Sequence, residues 1–351
     1  MAFISFQPHD HFDCPTWSGS DSTTTVNGMA FKPDSLLIKK YTADGASFWN
    51  NSTLGVAKNW KVSDNSASTD TSTYVASYTS DGFTLTGNVA DTNDAGQKYS
   101  AACWKANGAT TSSNTTGSIN ATVQADTTSG FSIVKWTGTG SAGTIGHGLG
   151  VAPKIIIAKN GSVGNTGAVM NMSTVYVSDP ATDFHQFAWN PSQFEDGADR
   201  WNDTAPTTSV FSVGNTSQSN GSSGECVAYV WAEVKGYSKF GFYSGTGNIA
   251  GTKVYCGFKP KWVMVKNNEA TEDWVTKISG LTGYGLGGNR TRSIKHGTTN
   301  SSTNAFIQFE SNGFRIATTD SKFNTENTKY FYMAFAEMPM VASNGQIALA
   351  T

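Results

Sequence analysis

Charge is scarce in this chain. Of its 351 residues only 14% are charged, 24 basic against 26 acidic, so no net field is available to gather nucleic acid or an anionic membrane surface. Cysteine is scarcer still. Cys14, Cys103, Cys226 and Cys256 stand far apart with no CxxC pair, which excludes a dense disulfide framework or a thiolate zinc site and predicts free, buried thiols. Long apolar runs are missing as well: no stretch approaches the roughly 18 apolar residues that a membrane span requires. Residues 1–12 show no basic segment ahead of an apolar one, so the reading is a soluble chain without an export signal or membrane insertion. Asn-x-Ser/Thr triplets such as those at Asn114 and Asn202 then read as ordinary polar sequence.

What is present is uncharged polarity. Ser, Thr, Asn and Gly solvate strand faces and turns, and the first three disfavour helix by competing for backbone hydrogen bonds. The 38% hydrophobic content is enough for two or three domains each to bury a core.

A search for self-similarity finds three copies of one pattern. A Pro-led apolar run ending in Lys occurs at Pro33-Asp34-Ser35-Leu36-Leu37-Ile38-Lys39, Pro153-Lys154-Ile155-Ile156-Ile157-Ala158-Lys159 and Pro260-Lys261-Trp262-Val263-Met264-Val265-Lys266. About 15 residues before each run an aromatic meets a small-residue turn: Trp17-Ser18-Gly19, Trp136-Thr137-Gly138 and Tyr243-Ser244-Gly245. Asp81-Gly82-Phe83 and Asn312-Gly313-Phe314 place a hairpin dipeptide before a later strand, whereas the second copy keeps only the strand Ser209-Val210-Phe211. Each copy closes on an aromatic segment, at Tyr99–Lys105, Val227–Glu233 and Tyr330–Glu337. Ala and Met would also suit a helix there, but alternation favours a strand buried on both faces, with Tyr330, Tyr332 and Ala334 on one side and Phe331, Met333 and Phe335 on the other.

Short strands with frequent turn signals predict an all-β protein of three tandem β-sandwich or jelly-roll-like repeats. The expected divisions are 1–106, a Ser/Thr/Asn-rich connector at 107–129, then 130–236, 237–342 and a C-terminal tail at 343–351. Within the connector, residues 118–123 alternate well enough to be a strand. The direct join at 234–240 predicts that copies two and three form a rigid pair with the first more loosely attached, and the tail is expected to fray or swap into a neighbour.

Four segments carry a resemblance: Phe6-Gln7-Pro8-His9-Asp10-His11-Phe12, Thr144-Ile145-Gly146-His147-Gly148-Leu149-Gly150, Trp201-Asn202-Asp203-Thr204-Ala205-Pro206 and Gly236-Tyr237-Ser238-Lys239-Phe240. Through them the chain resembles a family of marine bacteriophage virion proteins over nearly its whole length. The resemblance implies a structural or tail-fibre-like role and brings no catalytic residues with it.

Reactive constellations are weak. His147 between glycines reads as a turn histidine, because no second His or Cys lies at a metal-ligand spacing. His9 and His11 would share one strand face and offer a weak metal site. Glu195, Asp196 and Asp199, with Asp183 and His185 nearby, form the best candidate carboxylate group for glycan cleavage, but the third copy has no counterpart and a solvated loop is the plainer reading. The run Asp91–Gly96 lacks the bidentate Glu of a calcium loop. No GxSxG elbow or phosphate cradle occurs. The expectation is therefore no enzyme, no catalytic, cofactor or metal residues and no cofactor.

Aromatics in polar surroundings, Trp49, Trp189, Trp201 and Trp274, are the candidates for exposed contacts. The functional expectation is a virion surface appendage, a tail-fibre or adhesin component assembled in the host cytoplasm that contacts the bacterial host. It would partner other virion proteins and host glycan and form a homo-oligomer, expected to be a trimer. The alternative is a decoration or knob protein on capsid or tail, since no heptad run supplies a trimeric shaft.

Overall fold

The computed structural model describes the chain except residues 1–3, 63–66, 68, 71–73, 165–167, 172–197, 283–290, 297–301, 305–306, 339, 343–346 and 349–351. It is nearly all β, with antiparallel sheets and, among the described residues, only short helical turns. One pairing order recurs in three successive stretches, termed here lobes 1 (12–104), 2 (112–231) and 3 (238–338).

In each lobe the closing aromatic segment is a strand: Lys98–Trp104, Glu225–Trp231 and Lys329–Met338. On one side it pairs with the strand carrying the aromatic-turn signature, Thr16–Ser18, Phe131–Thr137 or Ser238–Ser244. On the other it pairs with the Pro-led run, Ser35–Lys40, Ile155–Asn160 or Lys259–Asn267. The large sheet then continues through Ser47–Asn51, Val169–Asn171 or Val275–Thr282. A smaller sheet covers one face: Thr24–Val26 with Gly82–Leu85 and Val75–Thr79 in lobe 1, Gly143–Gly146 with Val210–Val213 in lobe 2, and Lys253–Tyr255 with Gly313–Ile316 and Ile307–Glu310 in lobe 3.

Side chains alternate along a strand, and here the two faces go to two different cores. Tyr330, Tyr332 and Ala334 pack inside lobe 3 against Phe314 and Ile316. Phe331, Met333 and Phe335 point the other way, into a cluster that also holds Trp49, Trp104, Phe131, Tyr229, Trp231 and Trp262. Lobe 1 splits in the same way, with Tyr99, Ala101 and Cys103 inward and Ala102 and Trp104 to the shared cluster. So does lobe 2, with Cys226, Ala228 and Val230 inward and Val227, Tyr229 and Trp231 outward. The outward faces of the three large sheets thus build one common core.

The first copy is not loosely attached, contrary to the expectation from the short join at 234–240. Trp49 stacks on Tyr229 with ring centroids 4.1 Å apart, Trp104 meets Trp231 and Phe335 edge-on, each at 5.7 Å, and Phe12 stacks on Phe335 at 4.7 Å. Burial of aromatic area outweighs connector length in deciding which lobes adhere. The core is apolar enough that, among the described residues, the indole N–H groups of Trp104 and Trp231 find no acceptor. Each such group costs on the order of 1–3 kcal/mol, which the surrounding aromatic burial must exceed.

Two expected boundaries also change. Residues 107–129 are not a plain connector, since Ser112–Asn114 and Ala121–Asp126 extend the large sheet of lobe 2, the latter paired with Phe131–Thr137. The tail contributes the short strand Ile347–Ala348, which pairs with Met340–Ala342, and that strand pairs in turn with Ile4–Phe6.

The aromatic-turn signature has a physical cause. A Cβ on Gly19, Gly138 or Gly245 would fall 2.0, 2.1 and 2.1 Å from the carbonyl oxygens of Asp94, Gly221 and Thr325, so only glycine admits this loop. The loop it touches is held by a fully buried asparagine in each lobe, Asn93, Asn220 or Asn324. The Asn220 amide donates to Ser141 and Gly214 carbonyls while its oxygen accepts from Trp136 Nε1 and Thr139 N–H. Asn93 does likewise with Ser20, Ser22 and Thr86, and Asn324 with Thr246, Asn248 and Thr318.

Candidate functional site

Most sequence-nominated residues prove structural. Trp49, Trp201 and Trp274 are buried, which overturns their reading as exposed contacts, and Trp189 lies outside the described residues. Polar neighbours misled at Trp49 because alternation sends its indole to the opposite face from Phe48 and Asn50, in a strand whose every residue is buried; Trp201 is carried inward by the short helix Ala198–Trp201. The Trp49 Nε1 donates to Ser35 Oγ at 2.7 Å. Trp201 packs inside lobe 2 against Phe211.

His147 is buried, accepts from Leu149 N–H at Nδ1 and reaches the Thr207 carbonyl at Nε2, 3.1 Å away. Burial lowers its pKa, with the Thr207 carbonyl opposing. It closes a turn, as its glycine neighbours imply. Asp199 lies in the first turn of the short helix Ala198–Trp201 and pairs with Arg200 at 3.0 Å, while Asp183, His185, Glu195 and Asp196 lie outside the described residues. In the run Asp91–Gly96, Thr92 and Asn93 are buried staples. Among the described residues no group of His, Cys, Asp and Glu is arranged to hold a metal.

His9 and His11 do not share a strand face. Pro8–Asp10 forms a single helical turn instead, because proline suits the first helical position, and this separates the two side chains. His9 is exposed against Asp10. His11 turns to lobe 2, where its Nδ1 lies 2.6 Å from Asp126 Oδ2.

This pair sits beside a cavity of about 400 Å³ at the seam of lobes 1 and 2, lined by His11 and the segments 105–108 and 125–128. Every wall is held from behind. Asp126 Oδ1 accepts the N–H groups of Thr128 and Ser129, an Asx turn that fixes the lobe 2 loop. The Phe6 ring lies flat on the His11 ring at 4.7 Å, with Tyr237 edge-on to both. The lobe 1 wall is gathered by the buried carboxylate of Asp34, which accepts from Ala106, Gly108 and Ala109 N–H and from Ser52 Oγ. Ser52 in turn accepts from Gln124 of lobe 2. Burial tends to raise the Asp126 pKa, but the hydrogen bond and charge of His11, with Ser129 and Thr128 N–H, bring it below the ordinary carboxylate value.

Sequence reasoning missed this pairing because its members lie 115 residues apart and neither stands in a recurring motif. The only local signal was Asp126 ahead of Thr127-Thr128-Ser129, a turn-forming run.

A family model described as a domain of unknown function (DUF7483) matches residues 7–339. The chain belongs to this family. Its DUF7483 span takes in all three lobes together, as suits a unit whose central core is common to them. No curated protein and no solved structure matches the chain.

Proposed function

We propose that this protein is a non-enzymatic structural component of a bacteriophage particle surface, an appendage subunit of tail-fibre or adhesin type that meets the bacterial host. The observation that carries the reading is the common aromatic core: three sandwiches close on one another through their large sheets, leaving turn-rich polar loops outward on a rigid mount. Such an arrangement holds several loop sets in fixed relation, which favours multivalent contact. The sequence resemblance to marine phage virion proteins and the sparse charge agree with it.

A second reading, decoration of capsid or tail, is favoured by one feature: the chain already surrounds a core with three sandwich sheets, the packing that a trimeric shaft would otherwise obtain from three copies. In either setting the partners are other virion proteins, and association of copies into a trimer remains part of the proposal. Cryo-electron microscopy of purified particles tests both. A few dozen copies at the tail tip support the appendage, hundreds on the capsid support decoration, and absence from particles overturns both. Release of reducing sugar from host polysaccharide by the purified protein would instead establish an enzyme.

A further inference from the structure

The seam cavity has more built into it than the packing of two lobes requires. Its one carboxylate, Asp126, is already engaged by His11 and by two backbone N–H groups. The Lys105 ammonium, by contrast, forms no ion pair among the described residues, although the Lys105 N–H is anchored on the His11 carbonyl at 2.9 Å. With Nδ1 committed to Asp126, the other nitrogen of the His11 ring, Nε2, has no partner among the described residues. Lys105 and the His11 ring therefore line the same space as Asp126, and Lys105 is the cation there without an ion pair among the described residues.

The rest of the lining selects further. Asn107, Thr127 and Thr128 are exposed and offer amide and hydroxyl groups, whereas the apolar contribution is limited to the methyls of Ala106 and Ala125. A greasy ligand gains little from such walls. A ligand rich in hydroxyls gains more, because each wall group both donates and accepts. The volume of about 400 Å³ lies near the lower end of small-ligand sites. The loops are preorganised by Asp34 on one side and Asp126 on the other, so binding loses little to ordering.

We propose that this cavity binds a carboxylated sugar, such as a uronic acid unit of an acidic polysaccharide, with the carboxylate on Lys105 and His11 Nε2 and the hydroxyls on Asn107, Thr127 and Thr128. The inference deepens the host-contact reading and rests on it for the source of the ligand, while the site itself is a property of the isolated chain.

The test is titration of the full chain, with its histidines 13C-labelled, with D-glucuronate, methyl glucoside or acetate, following the His11 ring signals. Glucuronate is expected to shift them with a dissociation constant of about 1–10 mM, ordinary for a single exposed sugar unit, and both controls to bind roughly fivefold more weakly or worse, since each lacks half of the charge-assisted and neutral contacts. Lys105→Met should weaken glucuronate by a similar factor while the His11 signals of the free protein stay in place, which shows the fold intact. Unmoved His11 signals at about 20 mM glucuronate, equal binding by K105M, or acetate binding as tightly as glucuronate would each overturn the proposal. Location on the particle is measured separately, so a failed titration leaves the virion reading standing, and absence from particles leaves the site standing.

Discussion

Gly245 can be replaced by no other residue without moving the loop of Asn324, because a Cβ would lie 2.1 Å from the Thr325 carbonyl oxygen. Gly245→Ala should therefore cost about 2–4 kcal/mol, read as a drop in urea midpoint. Gly257 differs, having φ +82° with nothing near its Cβ position, and Gly257→Ala should cost only about 1 kcal/mol of backbone strain. The glycines were legible in sequence as turn formers, but the reason for them was not, since the opposing carbonyl comes from about 75 to 85 residues away. The buried asparagines were legible in principle and overlooked: Asn93, Asn220 and Asn324 each stand five residues before a closing strand. Lys277 had no signal at all. It is 4% exposed, and its ammonium, like the facing Ser293 hydroxyl, has no hydrogen-bond partner among the described residues. Burial lowers its pKa to about 8. Between about pH 8 and 10.5 the unfolded chain holds this proton while the folded chain releases it, so the cost of burying Lys277 is largest below pH 8 and fades as pH rises. Lys277→Met is expected to stabilise the protein by about 2 kcal/mol at pH 7, with the advantage shrinking toward pH 10.5. An advantage that is constant with pH would refute the assignment. Comparison with the unsubstituted chain is needed because buried thiols and phenols, Cys226 among them with its pKa pushed up by burial to about 12, oppose the lysines above about pH 9.

Strands in this molecule are decided by pairing as much as by their own propensity. The closing segments Glu225–Trp231 and Lys329–Met338 contain helix-tolerant residues, yet each lies between two partners that satisfy both rows of backbone groups. Alternation made that choice readable in advance. The segment 107–129 was harder, because Ser112–Asn114 is wholly polar and becomes a strand only where Ala121–Asp126 offers an edge. At the chain ends, Ile4–Phe6 holds Met340–Ala342 in place, and Phe6 also covers His11. Phe6→Ala should cost about 1–3 kcal/mol and speed proteolysis near Met340. Unchanged cleavage there would show that the terminal sheet does not depend on this ring.

The whole molecule should unfold as one unit. Lobes of sandwich size often behave as separate domains, but here each large sheet buries its second face only against the other two, so no lobe retains its full core alone. Calorimetry is expected to give a single transition, and Trp104→Ala, by removing a ring that touches residues of all three lobes, to lower it as a whole by about 3–5 kcal/mol. Three resolved transitions, or an effect confined to one of them, would contradict the common core.

The sequence by itself determined the all-β class, the closing strands with two buried faces and the glycine turns, because these follow from period-2 alternation and local backbone sterics, which act between near neighbours. Only the tertiary structure decided where the second faces go. That Trp49 and Trp274 are core rather than contact, that the first lobe shares the common core, and that His11 meets Asp126 beside a cavity all depend on packing between residues far apart in sequence. Hydrophobic burial is non-directional. A strand pattern therefore announces that a face must be covered without naming what covers it.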